Sequence, residues 1–428
     1  MQFKQYPSYK NSGVEWLGDV PEHWQIVRTK DIFNHRKEEA LEDDEIVTAF
    51  RDGQVTLRKN RRTDGFTNSI KEHGYQHINN GDLVIHEMDA FAGAIGVSDS
   101  SGKSTPVYTV CYAKNENINH HFYSHFFRTM AKTGFINSLA KGIRVRSTEF
   151  RWNESRNVYL AEPPKADQEK IVSFLDTETA RIDNLIAKQE KLIELLEEQR
   201  KSIISHAVTK GLNPNVPMKD SGVEWLGDVP EHWEIYPIGY SFDLLKNNNV
   251  GDDWEHTQLL SLTLQGVIKK DINEAKGKTH SDYSTYQKVN VGDFIFCLFD
   301  IEETPRTVGV VETSGMITSA YTALKPKPFI NPKYFYYFFE CRDDLKAFGS
   351  EYSGLRKTIR PTKFIKLKIC YPKLNEQCEI VGFLDTKCKK IDLLISKQQQ
   401  LIKKLKEYRI SIISHAVTGK IDVREFGA

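Results

Sequence analysis

Several stretches of this 428-residue chain hold residue types that could do chemistry. Residues 96–105, GVSDSSGKST, place glycines, a lysine and a hydroxyl in nearly the order of a phosphate-binding loop. Such a loop needs four residues between its glycines so that successive backbone amides wrap a phosphate. Here there are five, and the following Thr105-Pro106-Val107-Tyr108 reads as a strand where the loop requires a helix. His121 and His125 stand four apart on a predicted helix, a spacing that could hold zinc, but no third ligand accompanies them. No Ser/His/Asp or paired-carboxylate arrangement can be assembled, so the chain reads as non-enzymatic.

Positive charge is the remaining chemistry. The net charge is only +1, yet it is distributed in patches. Residues 51–71 hold Arg51, Arg58, Lys59, Arg61 and Arg62. Residues 128–156 hold Arg128, Lys132, Arg144, Arg146 and Arg151. Further along stand Lys269, Lys270 and Arg306, then Arg356, Lys357, Arg360 and Lys363 in a run free of acids. Clusters of this kind neutralise phosphates, and arginine can also bind guanine edges with two hydrogen bonds. Arg128 and Lys132 apart, these are the candidate DNA-binding residues. The acidic run EEALEDDE at 38–45 is expected to face away from nucleic acid. Residues 89–96, DAFAGAIG, are similar to the cofactor loop of cytosine methyltransferases. No Pro-Cys dipeptide exists to supply that family's nucleophile, and no Asn-Pro-Pro-aromatic motif is present.

The elements that must position these patches are written twice. Residues 168–211 return at 377–420 with an offset of 209, down to the shared SIISHAVT. Residues 10–26, KNSGVEWLGDVPEHWQI, return at 219–235 with two changes. A feature found in both copies serves something done twice. Ile182, Leu185, Gln189, Leu192, Leu196 and Ile203 mark heptad positions a and d in the first copy. Ile391, Leu394, Gln398, Leu401, Leu405 and Ile412 mark them in the second. Such a seam must bury itself against another helix. The first copy is mildly acidic and the second basic, which favours pairing the two within one chain, antiparallel. Caps are expected near Asp167 and Asn375, and the Trp-bearing motif is expected to pack each half onto the base of its helix.

Between motif and helix lie about 140 residues per half that have diverged. Shared landmarks persist: Gly96-Val97 with Gly309-Val310, the aromatic stretches from Asn119 and Asn331, and Gly142-Ile143-Arg144 with Gly354-Leu355-Arg356. Each half therefore reads as a mixed α/β (α+β) globule followed by a long helix. The divisions expected are 1–165, 166–211, 212–374 and 375–428, with LNPNVPM at 212–218 as linker. The six cysteines show no CxxC spacing, and no stretch approaches a membrane span, so a cytoplasmic protein is expected.

SGVEWLGDVPEHW, a Gly-x-Arg segment, a proline at the strand end and FLD…ID.LI.KQ…SIISHAVT together resemble the specificity subunit of type I restriction–modification enzymes. The resemblance covers essentially the whole chain, twice. It implies two target recognition domains, separated by a helical pair, that each read one half of an asymmetric, interrupted double-stranded DNA target. It also implies two copies of a methyltransferase subunit that carry the S-adenosylmethionine chemistry, and a separate restriction/translocase subunit. This chain itself would hold no cofactor and no metal. The first half ends in PPKADQ where the family commonly has Pro-Pro-x-x-Glu-Gln, and the second in YPKLNEQ. A coiled-coil adaptor whose globules bind proteins is the alternative reading, and steep salt dependence of DNA binding separates the two.

Overall fold

The computed structural model describes residues 3–61, 73–139, 150–246, 248–272, 283–348 and 357–427. Four helices exceed two turns among these residues: α1 (His120–Lys132), α2 (Lys165–Lys210), α3 (Pro332–Asp344) and α4 (Leu374–Val417). No helix among the described residues is long and apolar enough to cross a membrane.

The chain forms two compact units whose boundaries cut through the long helices. Unit 1 is Met1–Glu190 with Gln399–Ala428, and unit 2 is Lys191–Gln398. The divisions expected from sequence assigned each long helix whole to one segment. In the structure each unit is built from the start of its own helix and the end of the other.

Both units use one plan. In unit 1 an antiparallel sheet runs Phe33–His35, Tyr108–Ala113, Leu83–His86, Ile95–Val97. In unit 2 the same order is Phe242–Leu244, Thr322–Pro326, Phe294–Phe296, Val308–Val310. The helices α1 and α3, the aromatic stretches of the sequence, cover these sheets with rings such as Phe122, Phe126, Phe335 and Phe339, all fully buried. Asn119 caps α1 by accepting from the amides of His121 and Phe122, and Asn331 caps α3 by accepting from Lys333 and Tyr334.

A second ladder closes each globule on its helix. Gln25–Arg28 pairs with Tyr159–Glu162, and Glu234–Pro237 pairs with Lys368–Tyr371. The long helices begin at Lys165 and Leu374, ahead of the expected caps, so Asp167 and Asn375 lie in the first turn. Asp167 instead takes the indole N–H of Trp24 at 3.4 Å and lies 2.8 Å from His23 Nε2. Glu376 takes Trp233 at 3.0 Å and lies 2.8 Å from His232. The next residue is a buried amide in both copies. Gln168 accepts from the Asn119 amide and donates to the Pro163 carbonyl, and Gln377 does the same with Asn331 and Pro372. The repeated motif therefore packs on the helix base, as the sequence led us to expect.

The helices run antiparallel within each unit. In unit 1 Arg409 makes two hydrogen bonds to Asp183, and in unit 2 Arg200 bonds Asp392 at 2.7 Å. The buried line is not the expected a/d seam. Ile182, Leu196, Ile391 and Ile412 at position a are buried. Leu185, Gln189, Ile203, Gln398 and Leu405 are half-buried, and Ile186 and Ile402, each four residues on from an a position, join the unit 1 core. Leu192, Leu394 and Leu401 at d remain exposed. At 3.6 residues per turn a neighbour at i+4 lies as near the seam as one at i+3, so a two-helix pair can bury either row and leave the other open.

Candidate nucleic-acid interface

Six of the predicted cations lie at one hairpin in each unit: Arg51, Arg58, Lys59 and Arg61 in unit 1, Lys269 and Lys270 in unit 2. In unit 1 the strands Val47–Ala49 and Val55–Leu57 pair through a turn at Arg51–Gln54. Gly53 holds φ +94 there, and a Cβ on it would stand 2.3 Å from the Arg128 guanidinium. Arg51, Arg58 and Arg61 line a cavity of about 610 Å³ beside this turn, with His86, Tyr108 and Phe50 among its walls.

Carboxylates and rings orient the arginines. Arg51 pairs with Asp89 at 3.0 Å, Arg61 with Asp52 at 2.7 Å, and Arg61 also lies 4.3 Å from the Phe50 ring centre. Arg58 donates to Thr48 Oγ1 at 3.2 Å. A guanidinium has five N–H donors in a fixed plane, so bonds of this kind set the direction in which it points. His86 packs edge-on to Tyr108 with centroids 4.6 Å apart. Burial holds the His86 imidazole below its ordinary pKa and pushes the Tyr108 hydroxyl up to about 12, so both are neutral near pH 7. The cavity thus combines fixed cations with neutral rings. That combination suits the polar edges of bases and the phosphates beside them.

Unit 2 places its hairpin at the same point of the plan. Leu260–Thr263 pairs with Gly266–Lys269, and the Lys270 amide bonds the Leu259 carbonyl just as the Arg58 amide bonds that of Ile46. Lys269 and Lys270 are exposed. Lys270 is therefore the structural counterpart of Arg58, which divergence had hidden from the sequence.

The other predicted residues divide. Lys59 is exposed and pairs with Glu45 at 2.5 Å, so the end of the acidic run touches the basic hairpin. Arg151 is exposed and lies 3.7 Å from Glu87. Arg306 is largely buried among Glu340, Asp343 and Asp344, all within 3.6 Å, which gives it an internal, structural set of partners. Lys357 pairs with Glu302. Arg360 precedes the short helical turn Pro361–Phe364, which carries Lys363, and both are exposed. Arg62, Arg144, Arg146 and Arg356 lie outside the described residues.

The stretch resembling a phosphate loop folds as two strands, Ile95–Val97 and Gly102–Ser104, and Lys103 is buried. Among the described residues no three metal-binding side chains come together.

Comparison with known proteins agrees with this fold. Residues 21–195 match the family model of the type I restriction modification DNA specificity domain. The MjaVIII type I specificity subunit of Methanocaldococcus jannaschii is 24% identical over 53% of this chain and 50% of its own, so the chain spans about half of that relative. The putative MjaX specificity subunit of the same organism is 21% identical over 99% of both chains. A chain from the structural study of complex assembly and conformational transition of the type I R-M system superposes with a TM-score of 0.65 at 14% identity, covering 93% of this chain and 98% of the other. The HsdS subunit from Thermoanaerobacter tengcongensis gives 0.53 at 15% identity, covering 94% and 98%. With the matched domain in its first half, a relative along its length and a like fold in both units, the chain is similar in sequence and fold to the specificity subunits of type I restriction–modification systems.

Proposed function

We propose that the chain reads a bipartite, asymmetric double-stranded DNA target, one half-site per unit. It does so without catalysing any step itself. One observation carries this reading: the two units agree down to the atoms of their Trp–carboxylate and Gln–amide contacts, while the hairpins differ in chemistry. Three arginines beside rings on one hairpin and two lysines on the other suit two different base sequences. The surrounding Lys59, Arg151, Arg360 and Lys363 suit the phosphates.

The shared parts fit one kind of partner bound twice. We assign that role to two methyltransferase subunits, which supply the S-adenosylmethionine chemistry and through which the restriction subunit joins. In unit 2 the exposed Leu192, Leu195, Leu393 and Leu394 on the long helices support a protein partner there, since each offers apolar surface that a partner can cover.

Fluorescence anisotropy on duplexes across a salt series tests the DNA reading, and native mass spectrometry with added methyltransferase subunit tests the assembly. A steep negative slope of log affinity against log salt and a complex with two methyltransferase copies are expected. A salt-independent affinity, or saturation at one copy, refutes the corresponding part.

A further inference from the structure

In unit 1 the helix α1 and the last turns of α4 enclose a second cavity, of about 250 Å³, distinct in its lining from the hairpin site. His125, Arg128 and Lys132 face it from one side of α1, at the three- and four-residue spacing that stacks side chains on a helix. Among the described residues, neither Arg128 nor Lys132 has a carboxylate within ion-pair distance. The nearby Arg409 is already committed to Asp183, and Asp52 to Arg61. Glu407 also lines the cavity but pairs with neither. Arg128 Nε and His125 Nδ1 are buried with no hydrogen-bond partner. Buried polar atoms in native proteins nearly always have one, so orphans of this kind call for a ligand.

The other half of the chain shows that this charge is not a requirement of the fold. Unit 2 has the corresponding cavity, of about 240 Å³, between α3 and the second half of α2. Its helix wall repeats: Ser202, Ile204 and Ser205 stand where unit 1 has Ser411, Ile413 and Ser414. The facing wall is inverted in sign, with Glu340 and Asp344 in the places of Arg128 and Lys132. Those acids have their own counter-charge in Arg306, at 3.5 and 3.4 Å. The position matching Arg306 in unit 1 is Gly93, which brings none. Among the described residues, this charge has a direct ion-pair partner in unit 2 and none in unit 1.

We propose that the unit 1 cavity is a binding site for a phosphate-class oxyanion, held by Arg128 and Lys132 with Ser414 lining the facing wall. Burial, reinforced by Arg409, holds the Arg128 guanidinium below its ordinary pKa, a cost that an anion would relieve, while Lys132 one turn on is exposed. Because only one unit carries the charge, the ligand is bound once per chain and is not the shared contact of a partner that binds twice. The group has two possible sources, free phosphate or a backbone phosphate of bound DNA, the second resting on the DNA-reading function proposed above.

The test uses the full chain. In the first arm, thermal unfolding is followed while inorganic phosphate replaces chloride at constant ionic strength. The expected result is a saturable rise in Tm of about 3 °C at ten times the Kd, abolished in Lys132→Met. In the second arm, duplex affinity is measured against salt for the wild type and Lys132→Met. A slope smaller by about one in the variant assigns the site to a DNA phosphate. An unchanged slope with a saturable phosphate effect assigns it to a free anion. The proposal is overturned if phosphate and chloride act alike on the wild type and the slope does not move. Wild-type duplex binding in that same series then shows that the DNA reading survives. The wild-type phosphate arm needs no variant, so a Lys132→Met chain that fails to fold does not block the test.

Discussion

Trp24 and Asp167, 143 residues apart, are joined by an indole N–H to carboxylate hydrogen bond of 3.4 Å, and Trp233 and Glu376 repeat the contact at 3.0 Å. Both indoles are fully buried. Replacing Asp167 by Ala leaves the Trp24 N–H without its acceptor and is expected to cost about 1–3 kcal/mol. Glu376→Ala should cost less, because Glu376 is 29% exposed and water can take its place. Denaturant unfolding followed by tryptophan fluorescence checks the order of the two.

Gly96 and Gly309 occupy one position of the shared sheet, with different neighbours. A Cβ at Gly96 would lie 2.0 Å from the Gly53 carbonyl oxygen, whereas at Gly309 it would meet side-chain atoms of Leu262 and Val267 at 2.7 and 2.9 Å. Side chains can yield and a backbone carbonyl cannot without moving its strand. Gly96→Ala should therefore cost ~2 kcal/mol or more and Gly309→Ala about half as much. Comparing their unfolding midpoints decides it.

At the hairpin cavity, Arg58→Ala and Arg61→Ala are each expected to weaken binding to the cognate duplex about 10- to 100-fold. If the side chain contacts a base, discrimination at one position relaxes. If it contacts phosphate, affinity falls alike on all sequences and the salt slope drops by about one. Competition binding with single-position variants of the target separates these outcomes. Lys270→Ala should affect the other half-site.

Glu340 carries a pH dependence with a definite sign. Burial raises its carboxyl pKa above the ordinary 4.5, and Arg306 offsets this only in part. The folded chain then binds this proton more readily than the unfolded one. Its contribution to stability rises as pH falls from neutral through the native pKa and levels off below 4.5. Glu340→Gln is expected to flatten that rise and to raise Tm at pH 7. Melting curves for both proteins between pH 7 and 5 provide the check.

The modular reading can be tested by exchanging one globule with that of a related chain. The ladder of Gln25–Arg28 with Tyr159–Glu162 sets where the cuts belong. Exchange of residues 29–158 leaves both strands native and should change one half-site only, as read by methylation mapping of the assembled enzyme. A change in both half-sites would sink the idea.

The repeat made the duplicated plan, the antiparallel helices and the Trp–helix contact legible, because identical text at a fixed offset demands identical surroundings. The significance of Asp167 was not legible. Its place in PPKADQ reads as a minor departure, yet it sits at the atom pair that joins motif to helix. The heptad named the right faces but not the row that would be buried, since a and d are offered by sequence while the choice between i+3 and i+4 belongs to packing. Charge counting found Arg51, Arg58 and Arg61, which share a cavity, and equally Arg306, whose carboxylate partners come from α3. Which cations face inward depends on chain reversals that no local pattern records.

Unit 1 owes part of its core to residues far from the rest of it: Ile412, Ile413, Ala416, Val417, Ile421 and Val423 pack with Trp24, Phe174 and Ile182. Unit 2 is a single uninterrupted stretch, Lys191–Gln398. During synthesis, then, the order of completion reverses the order of translation. The globule made first must wait on the ribosome for the last strip of its interior, exposing apolar surface through the making of its neighbour, while the globule made second has its whole sequence in hand earlier.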